Sequence, residues 1–221
     1  ERIVKTITIS KQKHFFMVDD MISKKRLVEI AKAIKPLKVF WSCQLKPTKD
    51  LDYKTLKALK DSGLKIIVWG VESASDRVLG LMKKGTNKRD ISKVLKDSKT
   101  VGIKNGVYIM FGFPTETKDE FIETIEFLKD NDSNIDLISA SIFGLQKESY
   151  VYDNPNDFGI KSIIEDKRTI LEPKITYEVT LGLTQKEAFE LKKNYKKTFD
   201  KINKYPKEMN FFREHFLVLE E

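Results

Sequence analysis

Five points along the chain set polar groups directly behind short apolar runs. They are Asp19-Asp20, Ser42-Cys43-Gln44, Glu72-Ser73, the Gly112-Phe113-Pro114 turn that follows Met110-Phe111, and Gln146. Carboxylates in such places suit an ammonium group or a ribose diol. A Gly-Phe-Pro turn offers backbone and an aromatic ring to something flat, such as an adenine. Glu72 is the most telling of the set, because a carboxylate that ends a buried apolar strand is costly unless it is paired or faces a site. The others carry plainer readings as well: Asp19 or Asp20 serves equally as a helix cap, and Gly-Phe-Pro as a simple strand-to-helix turn. No strand end offers a lysine, a nucleophilic serine elbow, a Gly-x-Gly-x-x-Gly phosphate loop or paired histidines. His14, at a strand start, and His215, in the tail, read as surface or packing residues, and Cys43 reads as a packed strand cysteine.

The elements that would position these groups follow from periodicity. Residues 14–18, 39–43, 65–72, 107–111 and 137–143 are apolar runs of strand length. Between them lie helical patterns over about 22–35, 49–62, 76–83 and 88–101, and a further helix opened by the Thr117/Glu120 capping box. Residues 1–12 are ambiguous, since Ile3, Val4, Ile7 and Ile9 suit a short helix while Thr6–Ile9 alternates like a strand. Residues 147–178 read as irregular loop, with a short strand at about 176–180. Thr184 and Glu187 open a long helix whose inward residues are Ala188, Leu191, Tyr195, Phe199 and Ile202, and a final segment holds Phe211, Phe212, Phe216 and Leu217. Strands alternating with helices imply a parallel sheet with right-handed crossovers, open or closed into a barrel. In such a sheet all five polar strand ends gather at one mouth, where ligand sites of this class lie.

The bulk properties narrow the class. The chain has 221 residues, 33% of them charged, and one cysteine, so an internal disulfide is excluded and a reducing, cytoplasmic setting is expected. No apolar run approaches the roughly 20 residues that span a bilayer, so no membrane role is expected. The net charge of +8 admits a nucleic-acid partner, but lysine is spread over nearly every helix with no basic block, which favours a solvated surface. A small-molecule substrate is the preferred partner class.

Several stretches together resemble one family. They are Phe16-Met17-Val18-Asp19-Asp20; Trp41-Ser42-Cys43-Gln44; Trp69-Gly70-Val71-Glu72-Ser73-Ala74-Ser75 with Met82-Lys83-Lys84-Gly85; and Phe111-Gly112-Phe113-Pro114-Thr115-Glu116-Thr117. In this order and spacing they resemble the radical S-adenosylmethionine superfamily, nearest its cobalamin-domain-associated branch. Methylthiotransferases and oxygen-independent coproporphyrinogen oxidases are more distant relatives. The resemblance implies an α/β fold, a partial (β/α)6 TIM-like barrel of parallel strands. Residues 1–146 would form the barrel, its first strand and cluster loop missing, and residues 147–221 a C-terminal helical extension packed on it. It further implies a parent enzyme in which a four-iron four-sulfur cluster, fed by an electron donor such as flavodoxin or ferredoxin, cleaves S-adenosylmethionine to a 5′-deoxyadenosyl radical, with cobalamin as an optional further cofactor. The C-x-x-x-C-x-x-C cluster motif is absent from this chain, so the expectation is a fragment that is inactive by itself. By the same resemblance Asp19 and Asp20 meet the amino group of S-adenosylmethionine, Glu72 and Ser73 its ribose or methionine portion, and Met110, Gly112, Phe113 and Pro114 its adenine. Gln44 joins them as a cofactor-side amide. The competing classes are a degenerate, non-catalytic barrel that serves in docking, and an RNA-modifying enzyme of the same superfamily.

Overall fold

A computed structural model describes residues 1–18, 22–166, 174–210 and 213–220. Its centre is a five-stranded, all-parallel sheet in simple sequential order: β1 (His14–Met17), β2 (Phe40–Leu45), β3 (Leu64–Glu72), β4 (Lys104–Phe111) and β5 (Leu137–Ile142). The crossovers run through α2 (Lys24–Ile34), α3 (Tyr53–Asp61), the pair α4 (Asp76–Leu81) and α5 (Lys88–Thr100), and α6 (Lys118–Asp130). The ambiguous N-terminal stretch is a helix, α1 (Arg2–Ser10). The barrel is partial and does not close, since β1 and β5 end the sheet without pairing to each other.

Side chains alternate between two environments along each strand. Trp41, Cys43, Ile67, Trp69, Val107, Ile109 and Ile138 join Leu27, Ile30, Leu56, Leu59, Leu95, Phe121 and Ile125 of the helices in one buried core. A polar knot runs through the strand starts. Asn105 accepts from Trp69 Nε1 (2.8 Å) and Ser98 Oγ (2.7 Å), and donates to the carbonyls of Leu95 and Asn134. Its own N–H goes to Asp136, which pairs with Lys99 at 2.6 Å. With every group partnered, such a buried network holds register between β3, β4 and α5.

The last third is more ordered than periodicity suggests. α7 (Tyr150–Asp153) and β6 (Ile160–Asp166) form within the stretch expected as irregular loop, and β6 pairs antiparallel with β7 (Lys174–Val179), which answers the short strand expected at about 176–180. β6 escapes a sequence reading because Ile160, Ile163 and Ile164 do not alternate and half of the strand is solvent-facing. The expected long helix is two, α8 (Gln185–Asn194) and α9 (Lys196–Ile202), meeting at Tyr195. These helices and the two residues after them lie along the outer edge of β5 and occupy backbone groups in and beside it. Gln185 donates to Phe143 O, Lys192 to Ala140 O and Lys204 to Ile135 O, while Asn203 accepts from Ile138 N at 2.6 Å. An edge covered in this way cannot recruit a further strand. Phe216 and Leu217 pack with Ile66 and Leu137 near the strand starts. Phe211 and Phe212, named with them from the sequence, lie outside the described residues.

Candidate functional site

The C-terminal ends of β2, β3 and β4 surround two clefts that share one wall. The larger, about 360 Å³, is mainly apolar: Met82, Met110, Phe113, Val151 and Phe158 line it, with Glu72 and Lys84 at its polar side. The smaller, about 270 Å³, is the more polar of the two: Gln44, Lys46 and Tyr108 bound it beside Leu45, Val68 and Gly70, again with Glu72 and Lys84. The Glu72–Lys84 pair therefore partitions the mouth.

That pair is built by several local devices. The parallel ladder between β3 and β4 slips between Gly70 and Glu72, a bulge that redirects the last residue of the strand. Glu72 takes φ 66°, the left-handed region that a residue with a Cβ enters at a cost. Its Oε1 then accepts from Lys84 Nζ at 3.2 Å, with 21% of one side chain and 15% of the other exposed. Gly70 makes the room: a Cβ there would stand 3.1 Å from Glu72 Oε1 and 3.5 Å from Lys84 Nζ. Lys84 is delivered by the end of α4, where its N–H reaches back to Leu79 O. Backbone strain at a strand end, spent on aiming a carboxylate into a cleft, is the pattern expected of a binding group. In the polar cleft Gln44 Nε2 donates to the Tyr108 hydroxyl at 3.2 Å, joining β2 to β4 across the mouth.

The other sequence-named residues divide. Met110 and Phe113 face the apolar cleft. Gly112 and Pro114 are buried in the turn behind Phe113, and Gly112 accepts at its carbonyl from the Tyr177 hydroxyl of β7. Ser73 is fully buried and turned the other way: its Oγ meets Thr124 of α6 at 3.3 Å and accepts from Ser75 N. It braces β3 against α6 and is not part of the cleft lining. Gln146, named at a strand end, lies in the loop where its carbonyl accepts from Ser149 Oγ. Asp19 and Asp20 lie outside the described residues.

Four residues that strand-end reasoning passed over prove important. Lys84 sits after a helix, where no strand-end rule looks. Arg77 holds Glu120 through two nitrogens, at 2.7 and 2.6 Å, and donates to Thr115 O. Burial opposes ionisation of Glu120, yet bonds from Arg77, Thr117 and Ser75 hold its carboxyl down at about 2. Glu116 is fully buried beneath the turn, and burial raises its carboxyl to about 7. Tyr177 lies on β7, the strand expected at about 176–180, whose pairing with β6 periodicity missed. The signal for Lys84 and Glu116 was present, since both stand in the stretches quoted for the family resemblance.

Whether the implied cofactors fit can be judged from these side chains. An apolar cleft beside a carboxylate–ammonium pair suits a molecule with a flat aromatic end and an amino-acid end, as S-adenosylmethionine has. An iron-sulfur cluster does not fit the described residues. Cys43, the one cysteine of the sequence, is buried in the helix-side core with its thiol pushed up by burial. No group of three or more His, Cys, Asp or Glu among the described residues could hold a metal ion. No described helix is long and apolar enough to cross a membrane.

Comparison with known proteins bears on the family and the fold. The family model described as the Radical SAM superfamily matches residues 1–128. An uncharacterized methyltransferase of Pyrococcus horikoshii is 30% identical over 137 residues, 58% of this chain and 30% of the relative. A putative methylthiotransferase of Methanocaldococcus jannaschii is 33% identical over 92 residues, 42% of this chain and 20% of its own length. The chain thus spans less than a third of these relatives. Among solved structures, coproporphyrinogen III oxidase from Escherichia coli, described as a radical SAM enzyme, superposes with a TM-score of 0.57 at 12% identity, over 82% of this chain and 38% of that one. The radical S-adenosylmethionine methyltransferase TsrM from Kitasatospora setae, solved with cobalamin and a [4Fe-4S] cluster, gives 0.53 at 16% identity, over 63% and 29%. At these identities the structures speak for the fold.

Proposed function

The chain belongs to the radical SAM superfamily, and from that premise we propose that its cleft is the S-adenosylmethionine-binding part of an enzyme whose relatives include methyl- and methylthiotransferases. The observation that carries this reading is the strained Glu72 paired with Lys84 between an apolar and a polar compartment. S-adenosylmethionine ends in an α-ammonium and an α-carboxylate, which match Glu72 and Lys84 respectively. A zwitterion can replace the internal ion pair with two intermolecular ones, so neither protein charge is stranded on binding. The adenine would lie in the apolar compartment against Met110, Phe113 and Phe158, where burial of the flat base removes it from water. When bound, S-adenosylmethionine would be the molecule cleaved, the electron for that reduction coming from the superfamily's iron-sulfur cluster. This chain's part is to orient it, to keep water from the apolar side and to leave the Gln44–Tyr108 compartment for a small-molecule substrate. A four-iron four-sulfur cluster, its electron donor and any cobalamin belong to the whole enzyme.

Titration of S-adenosylhomocysteine, followed calorimetrically, tests the proposal. Saturable binding is expected, weakened at least tenfold in Glu72→Gln and in Lys84→Met, since each removes a charge-assisted hydrogen bond worth roughly 1.5–3 kcal/mol. Binding that is unchanged in both variants would refute the placement.

A further inference from the structure

One buried titratable group is left unexplained by the cleft itself. Glu116 is fully buried, and while its Oε2 accepts the Gly112 N–H at 2.5 Å, its Oε1 has no hydrogen-bond partner among the described residues. The same glycine is held from the other side, because the Tyr177 hydroxyl donates to Gly112 O at 3.2 Å. Both backbone groups of one residue are thus fastened by side chains, one from the turn and one from the β6–β7 hairpin. The next residue is Phe113, whose ring lines the apolar cleft and meets Phe158 and Phe143 edge-on at 5.8 and 5.1 Å. Phe143 in turn meets Tyr177 at 5.9 Å.

The segment that leaves β7 is locked to the same turn. Leu183 N donates to Glu116 O at 2.8 Å. Gly182, at φ 85°, approaches so closely that a Cβ would stand 2.7 Å from Thr115 C and 2.8 Å from Glu116 O. A rearrangement at Glu116 therefore reaches both the cleft wall and the C-terminal hairpin.

We propose that Glu116 and Tyr177 are a positioning pair for the cleft wall, in which the neutral Glu116 carboxyl and the Tyr177 hydroxyl together hold Gly112 so that Phe113 closes the apolar compartment, and ionisation of Glu116 releases it. A neutral buried carboxyl can leave one oxygen unpartnered at modest cost, whereas a carboxylate with a bare buried oxygen carries a far larger desolvation penalty, which outweighs the stronger bond it would take from the Gly112 N–H and draws it out of the turn. The charged and titratable groups facing Glu116 from its neighbours are Arg77 of α4, Glu120 of α6 and Tyr177 of β7. Burial is the dominant influence and raises the carboxyl to about 7. The Gly112 N–H opposes it, Glu120 adds to it, and Arg77 offsets part of it. Arg77 is already engaged by Glu120 and Thr115, so it is not available to neutralise a new carboxylate. The titration falls where cells operate, so the wall would respond to ordinary shifts in pH.

The inference goes beyond the functional reading and borrows from it only a probe ligand. The test is a pH titration between 5.5 and 8.5, followed by NMR at the Gly112 amide, the Phe113 ring and the 13C-labelled Glu116 carboxyl. A common inflection close to the Glu116 titration is expected at all three in the native protein. It should vanish from Gly112 and Phe113 in Glu116→Gln. In Tyr177→Phe the Phe113 signal should move while the inflection persists. A Glu116 carboxyl that titrates below pH 5.5, or an inflection retained in Glu116→Gln, would overturn the proposal. If Glu116→Gln fails to fold, the native carboxyl and Phe113 signals decide alone. As a second readout, the apparent Kd for S-adenosylhomocysteine should rise about tenfold from pH 6 to pH 8, as the protonated fraction falls from about nine-tenths to one-tenth. A pH-independent Kd would refute the link to the cleft. Absence of binding at every pH would count against the S-adenosylmethionine reading, with the NMR inflection still deciding the role of Glu116.

Discussion

Replacing Glu72 with glycine should cost almost nothing in stability, although it deletes a half-buried ion pair at the mouth of the sheet. The cause lies in its backbone. At φ 66° a side chain with a Cβ is strained by about 1–2 kcal/mol, and Glu72→Gly removes that strain. Against this stand the loss of the Lys84 contact and the greater freedom of glycine in the unfolded chain. Partly exposed pairs contribute about 0.2–1 kcal/mol, and the glycine entropy term is about 0.5–1 kcal/mol. Lys84 is not stranded, since its long stem lets the ammonium move toward solvent. The sum lies within about 1 kcal/mol of zero. Glu72→Ala loses the same pair but keeps the strain, so it should be less stable than the glycine variant by about 1 kcal/mol. Urea denaturation of the two variants beside the native chain measures the difference directly. S-adenosylhomocysteine binding should fall in both, which separates function from stability. If both variants lost about 3 kcal/mol or more to the same extent, the cost of a broken buried pair, Glu72 would be a structural carboxylate. The strain at Glu72 would then serve stability and not binding.

Other consequences can be checked with simple measurements. Cys43, wholly buried and with its thiol titration pushed upward by burial, should resist a disulfide reagent in the native state and react only in denaturant; rapid native labelling would contradict its placement. Gly182→Ala should destabilise by about 3 kcal/mol or more, because left-handed strain of about 1–2 kcal/mol adds to overpacking against the Thr115–Glu116 backbone; a denaturation midpoint equal to native would refute that contact. Glu120 titrates lower in the folded chain than in the unfolded one, at about 2 against an ordinary 4.5. Its contribution is therefore fully present above the ordinary value and disappears as pH falls through about 2. Arg77→Met should shift the acid unfolding midpoint, followed by circular dichroism, to higher pH. Glu116 acts with the opposite sign. Its stabilising share is intact below an ordinary 4.5 and is lost as pH rises through about 7, so Glu116→Gln should flatten stability across that window.

Much of the fold was legible because its signals are local. Continuous apolar runs such as Ile66–Val71 are what a strand covered on both faces must look like. Thr117 with Glu120 and Thr184 with Glu187 satisfy helix N-termini within four residues of chain, so both capping boxes stand where the sequence places them. The strand-end rule also found Glu72, Gln44, Met110 and Phe113, all of which face the clefts. It could not see that Ser73 turns toward Thr124, because a one-residue bulge at Gly70–Glu72 reverses which neighbour faces inward. Nor could it see β6, whose one ladder partner among the described residues, β7, lies beyond the segment from 167 to 173.

By itself the sequence determined the alternation of strand and helix, the parallel sheet and the family, since each is written in spacing and motif over short windows. Only the tertiary structure decided that Lys84 meets Glu72, that Tyr177 meets Gly112, and that Glu116 is buried beside them. The reason is physical. Charge pairing and desolvation depend on distance in space, and β7 reaches the Gly112 turn from 65 residues away along the chain.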